Sequence, residues 1–383
     1  MSKMKYVHIA ILIAVVTCSI TGCWNYREIE KMLVGVGVAI DKTEDGKIQL
    51  TAEVVDISQG KEMQIGAQLI TVTGDTMFDV VRRMITKFGM KLYWSHAKAV
   101  IMSQEVAREG AAKIIDWYMR DAETRSDIHI LVSGEKTARE VLAINEKGEE
   151  PISFKLEEML KNLSSVSTSP VIQIWDFIDA VNTPGKTGFV PLVYLKQGSQ
   201  GKQVASIEGG AVFKEDKMIG ILGGKETKNV LFVRNEIQGG ILTLGSYERP
   251  PGISLEIFKS KTEIKPVIVD GELEVQVSIR TVTAIDEVQN DQDFYLKEGY
   301  TRLEREAAEK LQNEVLSTIH MVQKQYGSDI FGIGLAIHRK MPKEWKKLEP
   351  DWEYHFKNLK ATVQAQVEIR NTAMTSKPIK LKD

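Results

Sequence analysis

Apolar and polar residues follow two rhythms along this chain, and the rhythm changes often enough to mark out elements. Met32 to Ile40 is apolar with two glycines, Gly35 and Gly37, and Ile48 to Ile57 is rich in Val and Ile. Asp45-Gly46 lies between them and is a strong turn signal, so the two runs are expected to form a hairpin. In "GDTMFDVVRRMITKFG", Asp75 or Thr76 can cap a helix whose apolar positions are Phe78, Val81, Ile85 and Phe88, with Gly89 as its stop. "LYWSHAKAVIMS" then reads as one strand, "EVAREGAAKIIDWYMRD" as one helix, "DIHILVS" as a strand and "KTAREVLAI" as a short helix. "ISFKLEEMLKNL" and "VIQIWDFIDAVN" are two further helices, and "KQGSQGKQ" resembles a linker near residue 200.

Beyond the linker, "QVASIEGGAVFKEDKMIGIL" gives two strands around a polar turn, and "KETKNVLFVRN" a short helix. From Gly252 onward come strands with a second Asp-Gly turn, Asp270-Gly271. A long helix follows, carrying Leu303, Ala307, Leu311, Val315, Ile319 and Val322 on one face. The last strand alternates: Ala361, Val363, Ala365, Val367 and Ile369 point one way, and Thr362, Gln364, Gln366, Glu368 and Arg370 the other. Such a strand belongs to a sheet with one covered face. The expected fold class is α+β, with mixed or antiparallel sheets and packed helices. The expected units are an N-terminal domain at 23–200, a small β-rich middle domain at 201–251, and a C-terminal domain at 252–383 with its long helix on an antiparallel sheet.

The first 22 residues follow neither rhythm. Lys3 and Lys5 precede an apolar run from Ile9 to Val16 and then small residues, the anatomy of a secretory signal. Ile20-Thr21-Gly22-Cys23 has the form of a bacterial lipoprotein box. The expectation is cleavage after Gly22, with Cys23 carrying an S-diacylglycerol and an N-acyl group. Cys18 is discarded with the signal, so the mature chain keeps no free thiol; thiol nucleophiles, Cys-based zinc sites and redox pairs are excluded. Two acyl chains suffice for stable attachment, and no later segment is apolar enough to span a bilayer.

Composition adds exclusions more than assignments. Of 383 residues, 43% are hydrophobic and 27% charged, as in ordinary globular proteins. The net charge of -2 becomes -4 without residues 1–22, which hold two lysines and no acid, and neither value suggests nucleic acid. The six histidines are scattered, and there is no HExxH, GxSxG, P-loop or strand-borne GxGxxG. The glycines of "GVGVAID" sit in a strand pattern, where a bulge or close packing is the usual reason. Neighbouring carboxylates such as Asp121 and Glu123, or Glu304 and Glu306, read as solvated faces. The sequence offers no catalytic residues, no metal site and no cofactor site, so an enzyme is disfavoured. Two aromatic clusters remain as candidate interaction surfaces: Trp94 with His96, placed two apart on the expected strand, and Trp345 with Trp352 in a basic, proline-broken segment.

In order along the chain, "GCWNYREIEKMLVGVGVAIDKTEDGK", "KLYWSHAKAVIMSQEVAREG", "WYMRDAETR", "IEGGAVFKEDKMIGIL", "EIQGGILTL" and "SDIFGIGLAIHRKMPKEWKKL" resemble the landmarks of the Ger(x)C family. These are lipoprotein C subunits of nutrient germinant receptors in endospore-forming bacteria. Asn25 stands where such proteins usually carry aspartate. The resemblance implies a non-enzymatic, three-domain α+β body tethered through Cys23 to the outer face of the spore inner membrane. It also implies partnership with membrane A and B subunits in assembly or signalling during germination. A solute-binding lipoprotein of a transporter is the alternative, which would require two βαβ-rich lobes around a ligand cleft.

Overall fold

A computed structural model describes residues 4–8, 11–13, 32–59, 63–144, 150–246, 249–288 and 297–372. The described residues make two sheets. Nine strands form the first: β1 (Met32–Lys42), β2 (Ile48–Gln59), β3 (Met63–Gly74), β4 (Lys91–Tyr93), β5 (Ala99–Met102), β6 (His129–Ser133), β7 (Phe189–Gln197), β8 (Gln203–Lys214) and β9 (Lys217–Leu222). Their order is β3-β2-β1-β5-β6-β7-β8-β9, with β4 paired to the start of β1. The centre, β1-β5-β6-β7, is parallel, and antiparallel hairpins close it on both sides.

A parallel centre must be covered on both faces, and it is. On one face lie α1 (Met77–Phe88), α2 (Gln104–Glu109), α3 (Ala112–Arg120) and α6 (Ile174–Asn182), packed with the strands around Val38, Val100 and Ile130. On the other lie α4 (Ala138–Ala143) and α5 (Ile152–Asn162), packed around Ala39, Ile101 and Leu131. All four residues of β5 are buried, because neighbours along the strand enter different cores.

The expected hairpin forms, with Gly46 at φ 78° in its turn. Its glycines have the expected cause. The β1 register shifts between Gly35 and Gly37; a Cβ on Gly35 would stand 3.3 Å from the Trp94 ring, and one on Gly37 only 1.7 Å from Ser153 Oγ. Helix α1 begins and ends as expected, with Thr76 accepting from Asp79 N–H and Gly89 left-handed. Its buried face is shifted: Val81 goes inward as expected and Phe88 packs at the margin of the core, but Met77, Val80 and Met84 are buried with Val81, and Phe78 is exposed under the Arg82 guanidinium. The helix has two apolar rows, and the sheet takes the one beginning at Met77.

Two expected single elements are each divided. The strand through Trp94 and His96 is interrupted by a turn between β4 and β5. The helix from Glu105 to Asp121 breaks at Gly110, at φ 136°. There Asp216, in the turn between β8 and β9, accepts from Ala112 N–H at 3.2 Å while its backbone carbonyl accepts from Ala111 at 2.8 Å. The two strands of the segment 201–251 are thereby tied to the N-terminal sheet, by hydrogen bonds to β7 and by this cap.

The second sheet has the order β10 (Ile241–Ser246), β11 (Arg249–Val269), β12 (Glu272–Val288) and β13 (Lys360–Thr372); it is mixed and not antiparallel as expected, because the chain crosses over through helices after β12 and returns as β13 parallel to it. Helix α8 (Lys297–Gln325) lies along β13, and α7 (Gly224–Val233), α9 (Ile333–Lys340), α10 (Pro342–Leu348) and α11 (Trp352–Asn358) complete the same face. The expected periodicities hold here. Leu303, Ala307, Leu311, Val315, Ile319 and Val322 of α8 are buried against Ala361, Val363, Val367 and Ile369, while Thr362, Gln364 and Gln366 are exposed. This core also receives Phe189, Val212 and Leu222 from the first sheet, so the lobes share apolar contacts.

Candidate functional site

Two concave features lie where the lobes meet. A cleft of about 550 Å³ runs between α6 and the loop after it on one side and α9 with the first turn of the C-terminal lobe on the other. A second cavity of about 560 Å³ lies on the far side of the same loop. Between them the backbones touch. Gly185 is left-handed at φ 75°, its carbonyl accepts from Leu335 N–H at 3.0 Å, and a Cβ added to it would lie 2.5 Å from the Gly334 carbonyl carbon. Only glycine combines that dihedral with that approach.

The charged groups around this joint are largely matched to one another. Asp179 of α6 accepts from Thr183 Oγ1 at 3.0 Å and pairs with Lys186. Those hydrogen bonds, with the nearby charges of Lys186 and of Arg339 from the opposite wall, hold its carboxyl below the usual range. Lys340 bonds Glu263 at 2.8 Å and the Ile264 carbonyl at 2.9 Å; Arg234 bonds Glu236 at 2.8 Å and the Ile330 carbonyl at 3.1 Å. Across the second cavity, Lys214 and Glu353 join the lobes at 2.6 Å, and Ser328 Oγ donates to the Phe213 carbonyl at 2.6 Å. Groups engaged in this way hold two bodies in register.

Asp329 is the buried acid at the joint. Its carboxylate accepts from the N–H groups of Phe331, Ile333 and Gly334 at 3.2, 3.1 and 2.6 Å, capping α9 and placing Gly334 against Gly185. Burial pushes its pKa up to about 6 despite those bonds. Two more buried acids share the design. Asp41 accepts from Ala138 and Arg139 N–H at 2.6 and 3.0 Å, and Glu53 from Ile152 and Ser153 N–H at 2.7 and 3.0 Å. Burial raises both pKa values, against the pull of the same hydrogen bonds. Each sits at a helix N-terminus, where exposed N–H groups and the helix dipole favour a carboxylate. All three therefore act as caps, Asp329 on the helix that directly follows it and Asp41 and Glu53 on helices about 100 residues away. Sequence reading missed Asp41 and Glu53, because these strand-borne acids and the N–H groups they cap lie 97 to 100 residues apart.

The sequence-nominated aromatics do not gather into a surface. Trp94 is 1% exposed, its ring edge-on to Trp117 at 5.8 Å, and Trp345 is 2% exposed, stacked on His338 at 5.7 Å. Both are core side chains and are closed to a partner. His96 is exposed, turned away from Trp94 by the break after β4 and set edge-on to Tyr93. Trp352 is half-buried between Trp345 and Gly334 and so helps close the joint. Among the described residues, the tryptophan that reaches furthest into solvent is Trp175, 50% exposed beside the cleft, with Nε1 donating to Gln173. Its signal was available: Ile174 and Phe177 set the buried row of α6 and leave Trp175 outside it. Cys23 and Asn25 lie outside the described residues. Among the described residues, no group of three or more His, Cys, Asp or Glu side chains is placed to hold a metal ion.

Comparison with known proteins divides the chain much as the two sheets do. Residues 25–195 match the family model described as spore germination protein N-terminal domain. Residues 208–373 match the model described as spore germination B3/GerAC like, C-terminal. Spore germination protein B3 of Bacillus subtilis (strain 168) is 25% identical over 346 residues, covering 88% of this chain and 90% of its own length. Spore germination protein KC of the same organism is 21% identical over 402 residues, 97% of each chain. The crystal structure of the GerBC protein has a similar fold, with a TM-score of 0.56 and 22% identity over 88% of this chain and 97% of that one.

Proposed function

The chain belongs to the Ger(x)C family of spore germination proteins, and on that premise we propose that it is the lipid-anchored C subunit of a nutrient germinant receptor. The observation that carries this reading is the pair of family matches, which in tandem span both lobes in their proper order. In this role the protein is not a catalyst. Cys23, acylated after cleavage behind Gly22, holds the body at the outer face of the spore inner membrane, where the membrane A and B subunits are its partners. Tethering confines it to the membrane plane and raises its effective concentration for them. The jointed lobes suit assembly or relay: a push on one lobe passes through Gly185, Gly334 and the ion pairs around them. A transporter's solute-binding protein gains no support from the matches.

Wild-type protein and Cys23→Ala, made in the spore-forming host, test the reading by intact mass and detergent partitioning, with nutrient germination scored alongside. Acyl mass on the wild type, and a variant that leaves the membrane with impaired germination, are the expected results. An unmodified Cys23, or normal membrane association and germination without it, would sink the tethered-receptor reading.

A further inference from the structure

Along the strand orders of the two sheets the end strands are β3, β9, β10 and β13, and the short β4 hangs off this path on β1. Unpaired strand edges invite pairing with other chains, and proteins usually block them. On three of these edges side chains occupy backbone carbonyls. Lys87 Nζ donates to the Thr71 carbonyl of β3 at 3.0 Å, and Tyr326 Oη to the Ile221 carbonyl of β9 at 2.9 Å. On β10, Lys228 and Lys310 donate to the carbonyls of Ile241 and Thr243, each at 2.6 Å.

The fourth edge, β13, is 13 residues long and free of proline and glycine. Which of its groups face outward follows from one proline. Pro266 of β11 stands opposite Val275 of β12, and because it has no N–H this must be a non-hydrogen-bonded pair. Val275 and the odd-numbered residues after it on β12 therefore bond toward β13. In a parallel pair they engage the even-numbered residues of β13, leaving Ala361, Val363, Ala365, Val367 and Ile369 with outward N–H and C=O groups. Ile369 fits this parity, since its N–H is taken by Glu304 of α8 at 2.8 Å. Among the described residues, the other four outward N–H groups have no acceptor.

We propose that β13 is a strand-addition site: an extended segment of another protein, apolar at every second residue, pairs with residues 361–367. Its apolar side chains would tuck under α8 beside Tyr300 and Ala308, which are only partly buried. Its polar side chains would lie beside Thr362, Gln364 and Gln366 on the open face. A second copy of this chain does not fit. Paired strands lie about 4.8 Å apart, whereas packed helices need about 8–10 Å. Helix α8 lies along β13 and Glu304 overhangs its edge, so two such helices would collide. The inference rests on the proposed receptor role only for where the partner is sought.

The test uses the full chain in its spore-forming host, with a photocrosslinking residue placed at Gln364 and, separately, at Gln366. Strand addition predicts cross-links to one other protein, at residues two apart in that partner. Ala365→Pro removes an outward N–H and leaves the ladder to β12 intact. It should keep the wild-type melting temperature and membrane attachment while cross-link yield and nutrient germination fall by roughly tenfold, the scale of one lost buried hydrogen bond. Unchanged cross-linking in a folded Ala365→Pro would overturn the proposal. So would cross-links only within the chain, to residues 373–383 for instance, or only to a second copy. The two-residue register decides the matter even if the proline variant fails to fold. Because loss of the tether releases the protein and loss of the strand does not, the two readings fail separately.

Discussion

The two lobes solve the same problem, a sheet that must hide one or both faces, in different ways. In the N-terminal lobe helices cover both faces, so β5 is buried at every residue and consecutive side chains serve separate cores. In the C-terminal lobe helices cover one face, so β13 alternates between buried valines and exposed glutamines. The difference teaches that tolerance to change should have period one in the first sheet and period two in the second. The covered lobe has spent both faces on stability, whereas the open lobe keeps a free face and a free edge for other uses.

The sharpest way to break this comparison is an alanine pair. Ile101→Ala on β5 should cost about 2–5 kcal/mol, whereas Gln364→Ala on β13 should stay within about 0.5 kcal/mol, both read from urea unfolding. If Ile101→Ala were as mild as Gln364→Ala, the two-core account of the first sheet would be wrong.

Next in size is a pH effect at the joint. The pKa of Asp329 is raised in the folded state, so the protonated form is favoured by folding. Its contribution is fully present below about pH 4 and is lost as pH rises through about 6. The ionised acid then costs up to about 3 kcal/mol, for a shift of roughly two units. Asp329→Asn should flatten this slope, so the difference in urea midpoint between variant and wild type grows from pH 4 to pH 7 in favour of the variant. Paired acids elsewhere, Asp127 and Glu263 among them, have lowered pKa values and act in the opposite sense, so only the difference between the two proteins is informative.

The smallest expected effect belongs to the contact itself. Gly185→Ala forces a Cβ against the Gly334 backbone at a positive φ, a cost of roughly 1–3 kcal/mol. Both lobes keep their own cores, so calorimetry should show their unfolding separating into two transitions while the secondary structure stays constant. A single transition shifted as a whole would mean that Phe189, Val212 and Leu222, shared across the lobes, outweigh the glycine joint.

Much was legible where the physics is local. Thr76 and Gly89 delimit α1, Asp45-Gly46 makes its turn, and the alternation of β13 and the stripe of α8 name their buried faces correctly. Errors appeared where two local readings were equally good. Helix α1 carries two apolar rows, and only the sheet beneath it chose Met77 over Phe78. The strand through Trp94 and the helix through Gly110 each looked continuous until a turn and the Asp216 cap divided them. Trp94 and Trp345 resembled interface residues because an aromatic side chain has the same composition inside a core as on a surface.

What the sequence determined by itself is therefore the short-range chemistry: the caps, the turns, the faces of amphipathic elements, and the chain-long resemblance to one family. These need contacts across only a few residues, or no contact at all. Tertiary structure alone decided strand order, the glycine contact between the lobes, the helices that Asp41 and Glu53 cap and the run of unpaired N–H groups along the edge of β13. Each brings together groups up to about 150 residues apart, and no local pattern encodes which distant backbone a glycine, a carboxylate or a strand edge will meet.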